Sequence, residues 1–297
     1  MTMSTPETAW LIEQLEGTSL HRVLRRLAVE PGPTGLDAEL PATFIGIVVD
    51  CETTGLDVAS DAIIELAVRR FRYNDAGRIV EIGRAYSWRE DPRRALGPEI
   101  VQLTGLHDID LVGCEIDTEI ATGLLRSASV VVAHNAAFDR KMIERRLPAA
   151  AGLAWACSCR ELDWPAAGFD GRGLGWLLAQ AGWFHGAHRA EGDVDAVIQL
   201  LRHTMPDGRT ALRELIDTAS EPSVLLTAVG THFDVKDVLK ARGYRWDAAG
   251  RVWCREVPQH VADDEEHWLL SAAYRPEHRP YASGPSLARV TWRERHA

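Results

Sequence analysis

Residues 44–50 read FIGIVVD, a continuous apolar run rich in β-branched residues. A run with no polar face belongs to a central strand covered on both sides. That requirement commits the chain to a layered fold with elements on each face of a sheet. Two further strands are expected at 63–73 (IIELAVRRFRY) and 78–88 (RIVEIGRAYSW), joined by an NDAG hairpin turn. The period then changes. TEIATGLLRSA (118–128) and AFDRKMIERRL (137–147) have helical spacing, with the short buried strand VVVAHN (130–135) between them. LAWACSC (153–159) reads as a fifth strand, and 173–182 and 192–205 as helices. A three-strand meander followed by alternating helix and strand predicts an α/β fold: a mixed sheet flanked by helices.

The ends of the chain have a different texture. Residues 7–28 carry an approximate helical stripe that Gly17 should divide into two short helices, and 31–42 is a Pro/Gly linker. The expected organisation is an N-terminal helical segment and linker (1–42), a main domain (43–206) and a helical linker (207–223). A small α+β module (224–283) and a Pro-rich tail (284–297) follow. In the module a strand at VLLTAVG precedes a helix ending at Gly243, then a hairpin turning at Asp247–Gly250 and a helix over 259–273. A hydrophobic content of 46% over 297 residues suffices for a packed core and excludes a disordered chain. No apolar run is long enough to span a bilayer, and the N-terminus lacks a signal pattern. The five cysteines are an odd, scattered set, and Cys157 and Cys159, only two apart, fit neither a common zinc spacing nor an easy disulfide, so a cytoplasmic protein with no membrane partner is expected.

The run at 44–50 ends in acids. In DCETTG, Asp50 and Glu52 share strand parity, so both side chains can face one side of the strand end. Alone, such a pair is more often a solvated turn. Here a second apolar strand stops at His134–Asn135, and the helix after it carries Asp139 on its first turn. HRAEGDVDA then brings His188, Asp193 and Asp195 to the start of another helix. Individually, Asp139 could simply favour a helix N-terminus, Asp193 could cap one, His188 could be a loop residue, and Asp195 reads as solvated. Together they deliver acids to one edge of a sheet, where open α/β folds bind ligands. Four carboxylates in one cleft repel unless something neutralises them. Two divalent cations would, with hard oxygen donors favouring Mg²⁺ or Mn²⁺. Such a pair suits in-line displacement at a phosphodiester, with a histidine taking the proton from water. The net charge of −10 fits a carboxylate-rich site and argues against a generally sticky nucleic-acid coat.

DCETTG, AHNAAFD and HRAEGD, in that order, resemble the three motifs of the DEDD exonucleases of the histidine subclass. That superfamily includes proofreading subunits, RNase T and oligoribonuclease. GPEIVQLTGLHDIDL (97–111) is similar to a further segment between the first and second motifs. The resemblance covers roughly 43–206 and implies an RNase H-like mixed sheet and 3′→5′ hydrolysis releasing nucleoside 5′-monophosphates. It implies that Asp50, Glu52, Asp139 and Asp193 hold the metals and that His188 is the general base. Thr53, Thr54 and Gly55 would meet the 3′-terminal nucleotide, Leu56 its base, and Asn135 the substrate or a neighbouring ligand. His134 is expected to be structural and Cys51 to face the packed side of its strand.

Residues Val235–Arg255 lie outside the resemblance and hold six Lys/Arg against two Asp. Lys240, Arg242, Arg245, Trp246, Arg251 and Trp253 combine cations with aromatic faces, as a single-strand binder would. The alternative is a mini-core of Tyr244, Trp246 and Trp253 against the Val238/Leu239 helix. ADDEEH (262–267) reads as a solvated helix face or turn. The expected partner is nucleic acid with a free 3′ end, single-stranded or overhanging. DNA is preferred over RNA because the extra module suggests grip on something longer than a dinucleotide. An exoribonuclease and a non-catalytic end sensor are the competing readings. QAGWF (180–184) is read as packing rather than as a clamp-binding peptide. A free-standing repair, decay or defence nuclease is therefore preferred to a polymerase-bound subunit, and self-association through the N-terminal helices stays open.

Overall fold

The computed structural model describes residues 6–18, 20–35, 41 and 43–297. The chain divides into two units, Met1–Thr218 with His296–Ala297, and Ala219–Arg295. In order, the first unit contains α1 (Pro6–Glu16), β1 (Arg25–Arg26), β2 (Gly32–Pro33), β3 (Phe44–Thr53), β4 (Ile63–Tyr73) and β5 (Ile79–Arg89). Then come α2 (Pro98–Thr104), α3 (Asp108–Leu111), α4 (Thr118–Arg126), β6 (Val130–Ala133), α5 (Ala136–Arg146) and β7 (Trp155–Cys157). The unit closes with α6 (Leu174–Gln180), β8 (Trp183–Phe184), α7 (Ala190–Leu201) and α8, which runs Ala211–Ser220.

Six strands form one sheet in the order β2-β5-β4-β3-β6-β7. β3, β4 and β5 are the antiparallel meander, while β6 and β7 run parallel to β3. β3 is central, and Ile47, Val48 and Val49 are fully buried, as a strand covered on both faces must be. Ile47, Val49, Cys51, Leu66 and Val68 pack against Leu125 of α4 and Met142 and Ile143 of α5. The opposite face of β3 and β4 carries α7. Gly46 is required where it stands: a Cβ there would lie 2.2 Å from the Phe71 ring, which crosses it from β4. Among the described residues no helix is long and apolar enough to cross a membrane.

The second unit is a four-stranded antiparallel sheet, β10-β11-β9-β12, with two helices. Its elements are β9 (Ser223–Ala228), α9 (Lys236–Arg242), β10 (Arg245–Asp247), β11 (Val252–Pro258), α10 (Ala262–Ala273) and β12 (Ser286–Val290). Leu226, Leu239, Tyr244, Val257 and Leu269 form its core. Gly243 ends α9 in the left-handed conformation, φ 98°, which a residue without Cβ adopts freely.

Two expectations are corrected. Only one N-terminal helix is present among the described residues: beyond Gly17 no second helix forms, and Arg25–Arg26 pairs in parallel with Trp183–Phe184 of the QAGWF segment. Backbone pairing there outweighs a stripe too short to be a stable helix. The sheet of the second unit also reaches beyond the expected end of the module at 283, since Ser286–Val290 of the tail pairs with β9 as an edge strand.

Candidate active site

The acids meet because three elements end at the same place. Asp50 and Glu52 emerge from β3 on the face that carries α7, and the β3–β4 register slips just after Glu52. Asp193 lies on the first turn of α7. One carboxylate oxygen from each of Asp50, Glu52 and Asp193 can be chosen so that all three lie within 4.8 Å of one another. Asp139, on the first turn of α5 and 3% exposed, stands beside them but turns Oδ1 onto Cys51. The Cys51 backbone N–H and thiol each donate to it at 3.3 Å. Cys51 thus packs in the core, as expected, while its thiol also orients an acid.

The electrostatics follow from this crowding. Burial first, then the charges of Asp139, Asp193, Glu52 and Glu65, holds Asp50 well above the ordinary carboxylate range. Burial, Asp193 and Glu65 push Glu52 up to about 7, with Arg189 opposing. Burial likewise raises Asp139. Carboxylates that resist ionisation while lacking enough cationic partners are the donor set of a hard divalent cation. The residues present therefore fit such an ion.

The third motif is pinned on both flanks. Glu65, 2% exposed near the start of β4, accepts from Arg189 Nη2 at 2.9 Å, from Arg189 Nε at 3.2 Å and from the Ala190 backbone N–H at 3.0 Å. Asp193 accepts from the Arg189 backbone N–H at 3.2 Å and contacts His185 Nε2 at 2.7 Å. Between these anchors His188 is exposed at the rim, with φ 61°. The histidine in contact with Asp193 is thus His185, and His188 stands outside it. His134 uses both ring nitrogens internally, on Ser158 Oγ at 3.0 Å and the Arg172 carbonyl at 2.7 Å.

The loop after β3 is tied to itself. Thr53 donates to the Gly55 carbonyl at 2.6 Å, and Thr54 donates to Asp61 at 2.9 Å. Arg94 reaches both Asp61, at 2.6 Å, and the Thr54 hydroxyl. Gly55 faces Asp61 so closely that a Cβ would lie 2.4 Å from its Oδ2. Leu56 is 85% exposed and Asn135 is exposed at the cap of α5.

Several functional neighbours were missed by sequence reasoning. Glu65 had a signal: an acid inside IIELAV must be paired if the strand is central. His185, Asp61 and Arg94 had none, because nothing in their spacing announces contacts made by folding. Asp195, expected to be solvated, pairs with Arg69 at 2.5 Å. Arg69 is buried in β4 and needs a counter-charge, which α7 supplies. In the second unit the candidate contacts divide. Arg242 pairs with Glu265 at 2.9 Å and lies over Trp268, and Trp253 packs on the core. Lys240, Arg245 and Arg251 are exposed, and Trp246 is 52% exposed, edge-on to Trp253. Glu265 itself is buried, so ADDEEH is not wholly solvated.

Residues 47–201 match the family model for the RNase T exonucleases. The chain belongs to this exonuclease family. Among its relatives, the PolC-type DNA polymerase III of Bacillus subtilis is 34% identical over 95 residues, which is 31% of this chain but 6% of that one. DNA polymerase III subunit epsilon of Treponema pallidum is 27% identical over 186 residues, 59% of this chain and 83% of that one. A zinc-bound complex of Escherichia coli ExoI with ssDNA is similar in structure, with a TM-score of 0.48 and 15% identity over 80% of this chain and 69% of that one.

Proposed function

We propose that this exonuclease-family chain hydrolyses phosphodiester bonds from the 3′ end of nucleic acid and releases nucleoside 5′-monophosphates. The observation that carries the reading is the convergence of Asp50, Glu52 and Asp193 within 4.8 Å, with Asp139 beside them. Two divalent cations, Mg²⁺ or Mn²⁺, would be held by these four acids and supply charge neutralisation for the attacking and leaving oxygens. The chain's own residues do the rest. Cys51 aims Asp139, and His185 and the Arg189 backbone aim Asp193. His188, open to solvent at the rim, takes the proton from the attacking water. Thr53–Leu56 and Asn135 border the place of the terminal nucleotide. Single-stranded DNA or a 3′ overhang is the proposed substrate, supported by a second unit whose exposed Lys240, Arg245, Arg251 and Trp246 suit phosphates and bases.

The test uses 5′-labelled single-stranded DNA, double-stranded DNA and RNA of one sequence, with Mg²⁺, with Mn²⁺ and with chelator. A ladder shortening from the 3′ end, abolished by chelator and by Asp50→Ala, is expected, with single-stranded DNA cut fastest. Intact substrates in every lane with folded, metal-supplied protein would overturn the reading. Faster cutting of RNA would replace DNA as the substrate and leave the chemistry standing.

A further inference from the structure

The face of the sheet opposite the acids carries an arrangement that hydrolysis does not use. Arg84, Tyr86 and Trp88 alternate along β5, so they share that face. The Arg84 guanidinium lies 4.5 Å from the centroid of the Tyr86 ring. The Tyr86 ring stacks on Trp88 with centroids 5.8 Å apart and planes 19° from parallel. Trp88 in turn packs on the core, so the stack has a fixed base. Beside it is a crevice of about 200 Å³, whose walls include Arg70, Arg72, Phe71, Glu81 and Leu124 of α4.

The crevice has a backbone cause. The β4–β5 register slips between Arg69 and Phe71, opposite Gly83, and such a bulge bends the strand. Arg69 holds the bulge from the other face by donating to the Gly83 carbonyl at 3.0 Å, while also pairing with Asp195. The concavity is therefore a braced feature of the sheet. Its charge runs against the protein's net −10: among the described residues that line it, Arg70, Arg72 and Arg84 stand with one acid, Glu81, which pairs with Arg72 at 3.8 Å. A stack that merely covered the sheet would need no cationic surplus around a hollow. Guanidiniums for phosphates beside flat faces for bases are the recognition chemistry of a single strand.

Position supports the same ligand. Arg89, the residue after Trp88, lies across β4 from the acids, in register with Glu65 and through it with Glu52. Four residues of strand separate Trp88 from Arg84, roughly 13 Å. Among the described residues β2 pairs with β5 only at Glu81 and Ile82, and no strand pairs with β5 on that side beside Tyr86 and Trp88.

We infer that the Arg84–Tyr86–Trp88 stack and the arginine-lined crevice beside it form a second binding site for single-stranded nucleic acid, which grips the part of a substrate lying away from its 3′ end. The identity of the ligand rests on the exonuclease reading; the site itself does not.

The full-length protein is tested with a trinucleotide and a 20-mer of the same 3′ sequence. In Arg70→Glu/Arg84→Glu and in Tyr86→Ala, KM for the 20-mer should rise about tenfold with kcat unchanged, while trinucleotide turnover stays at the unsubstituted value. That unchanged turnover also shows that each variant folds and keeps its acids. In chelator, anisotropy of a labelled 20-mer should show the same loss of affinity, and the double variant, which removes two cations, should flatten the salt dependence by about 1.4 units in log–log slope. Equal KM values and equal anisotropy curves for the variants and the unsubstituted protein would overturn the inference. If no substrate is cleaved, the exonuclease reading fails, and the anisotropy arm alone supports or overturns the second site.

Discussion

The molecule buries carboxylates in two places and treats them in opposite ways. In the second unit Glu265, 4% exposed, is met by Arg242 at 2.9 Å and by Arg255 at 2.8 Å, so the chain neutralises its own charge. In the first unit Asp50, Glu52, Asp139 and Asp193 crowd together, and the nearby guanidinium of Arg189 is spent on Glu65. The first arrangement is complete as it stands. The second is a deficit of positive charge built into a rigid frame, the kind of arrangement that clusters at functional sites. Burial of acids is common to both; the supply of partners separates a structural pair from an ion site.

Substitutions should break this contrast in opposite directions. Asp50→Ala is expected to lower exonuclease turnover by on the order of 10³-fold or more in the labelled-strand assay. In chelator the same variant should melt no lower than the unsubstituted protein, because it removes a repelling charge. A large drop in its melting temperature would mean that the cluster is structural after all. Glu265→Ala should do the reverse. Removing the buried acid that half-exposed Arg242 and Arg255 share should cost about 1–3 kcal/mol in denaturant unfolding of the second unit. Trinucleotide turnover should be kept.

Cation and pH sharpen the comparison at intermediate size. Mg²⁺ or Mn²⁺ at a hundred times its dissociation constant should stabilise the protein by about 2.7 kcal/mol, and should have no such effect on Asp50→Ala. Glu52 is held at about 7, above its ordinary 4.5, so the folded metal-free protein binds more protons than the unfolded chain between those values. The stability this proton confers is full below pH 4.5 and is lost as pH rises through about 7. The melting temperature of metal-free protein, compared with Glu52→Gln, should therefore fall from pH 5.5 to 8, and added cation should recover more at pH 8 than at pH 6. A parallel pH dependence in the two proteins would contradict the raised value.

The smallest expected effect concerns Glu65, a buried acid held by the Arg189 guanidinium. Glu65→Gln keeps an acceptor for the Ala190 N–H but weakens the hold on Arg189. It should lower kcat about tenfold with little change in KM. Loss of metal-dependent stabilisation in that variant would instead make Glu65 a fifth ion-binding acid.

The sheet and the acids were legible because they depend on local pattern. Apolar runs that stop at acids mark strand ends, and FIGIVVD and VVVAHN could hardly be anything else. What was not legible depends on pairing across the chain. Arg25–Arg26 became a strand because Trp183–Phe184 offered a backbone edge, and Ser286–Val290 because β9 did. Neither segment is long or regular enough to declare itself. His185 took the contact with Asp193 through a turn whose shape no spacing encodes. Asp195 and Glu265 look like surface acids in sequence, and only the positions of Arg69, Arg242 and Arg255 make them buried partners.

The loop after the first pair of acids has a consequence for how this sequence can change over generations. Any side chain at position 55 must displace Asp61, and Asp61 is what Thr54 and Arg94 hold. Gly55, Asp61, Thr54 and Arg94 are therefore one unit of inheritance, spread over forty positions of chain. A lineage can replace them together or keep them together, but the single steps between pass through a broken loop.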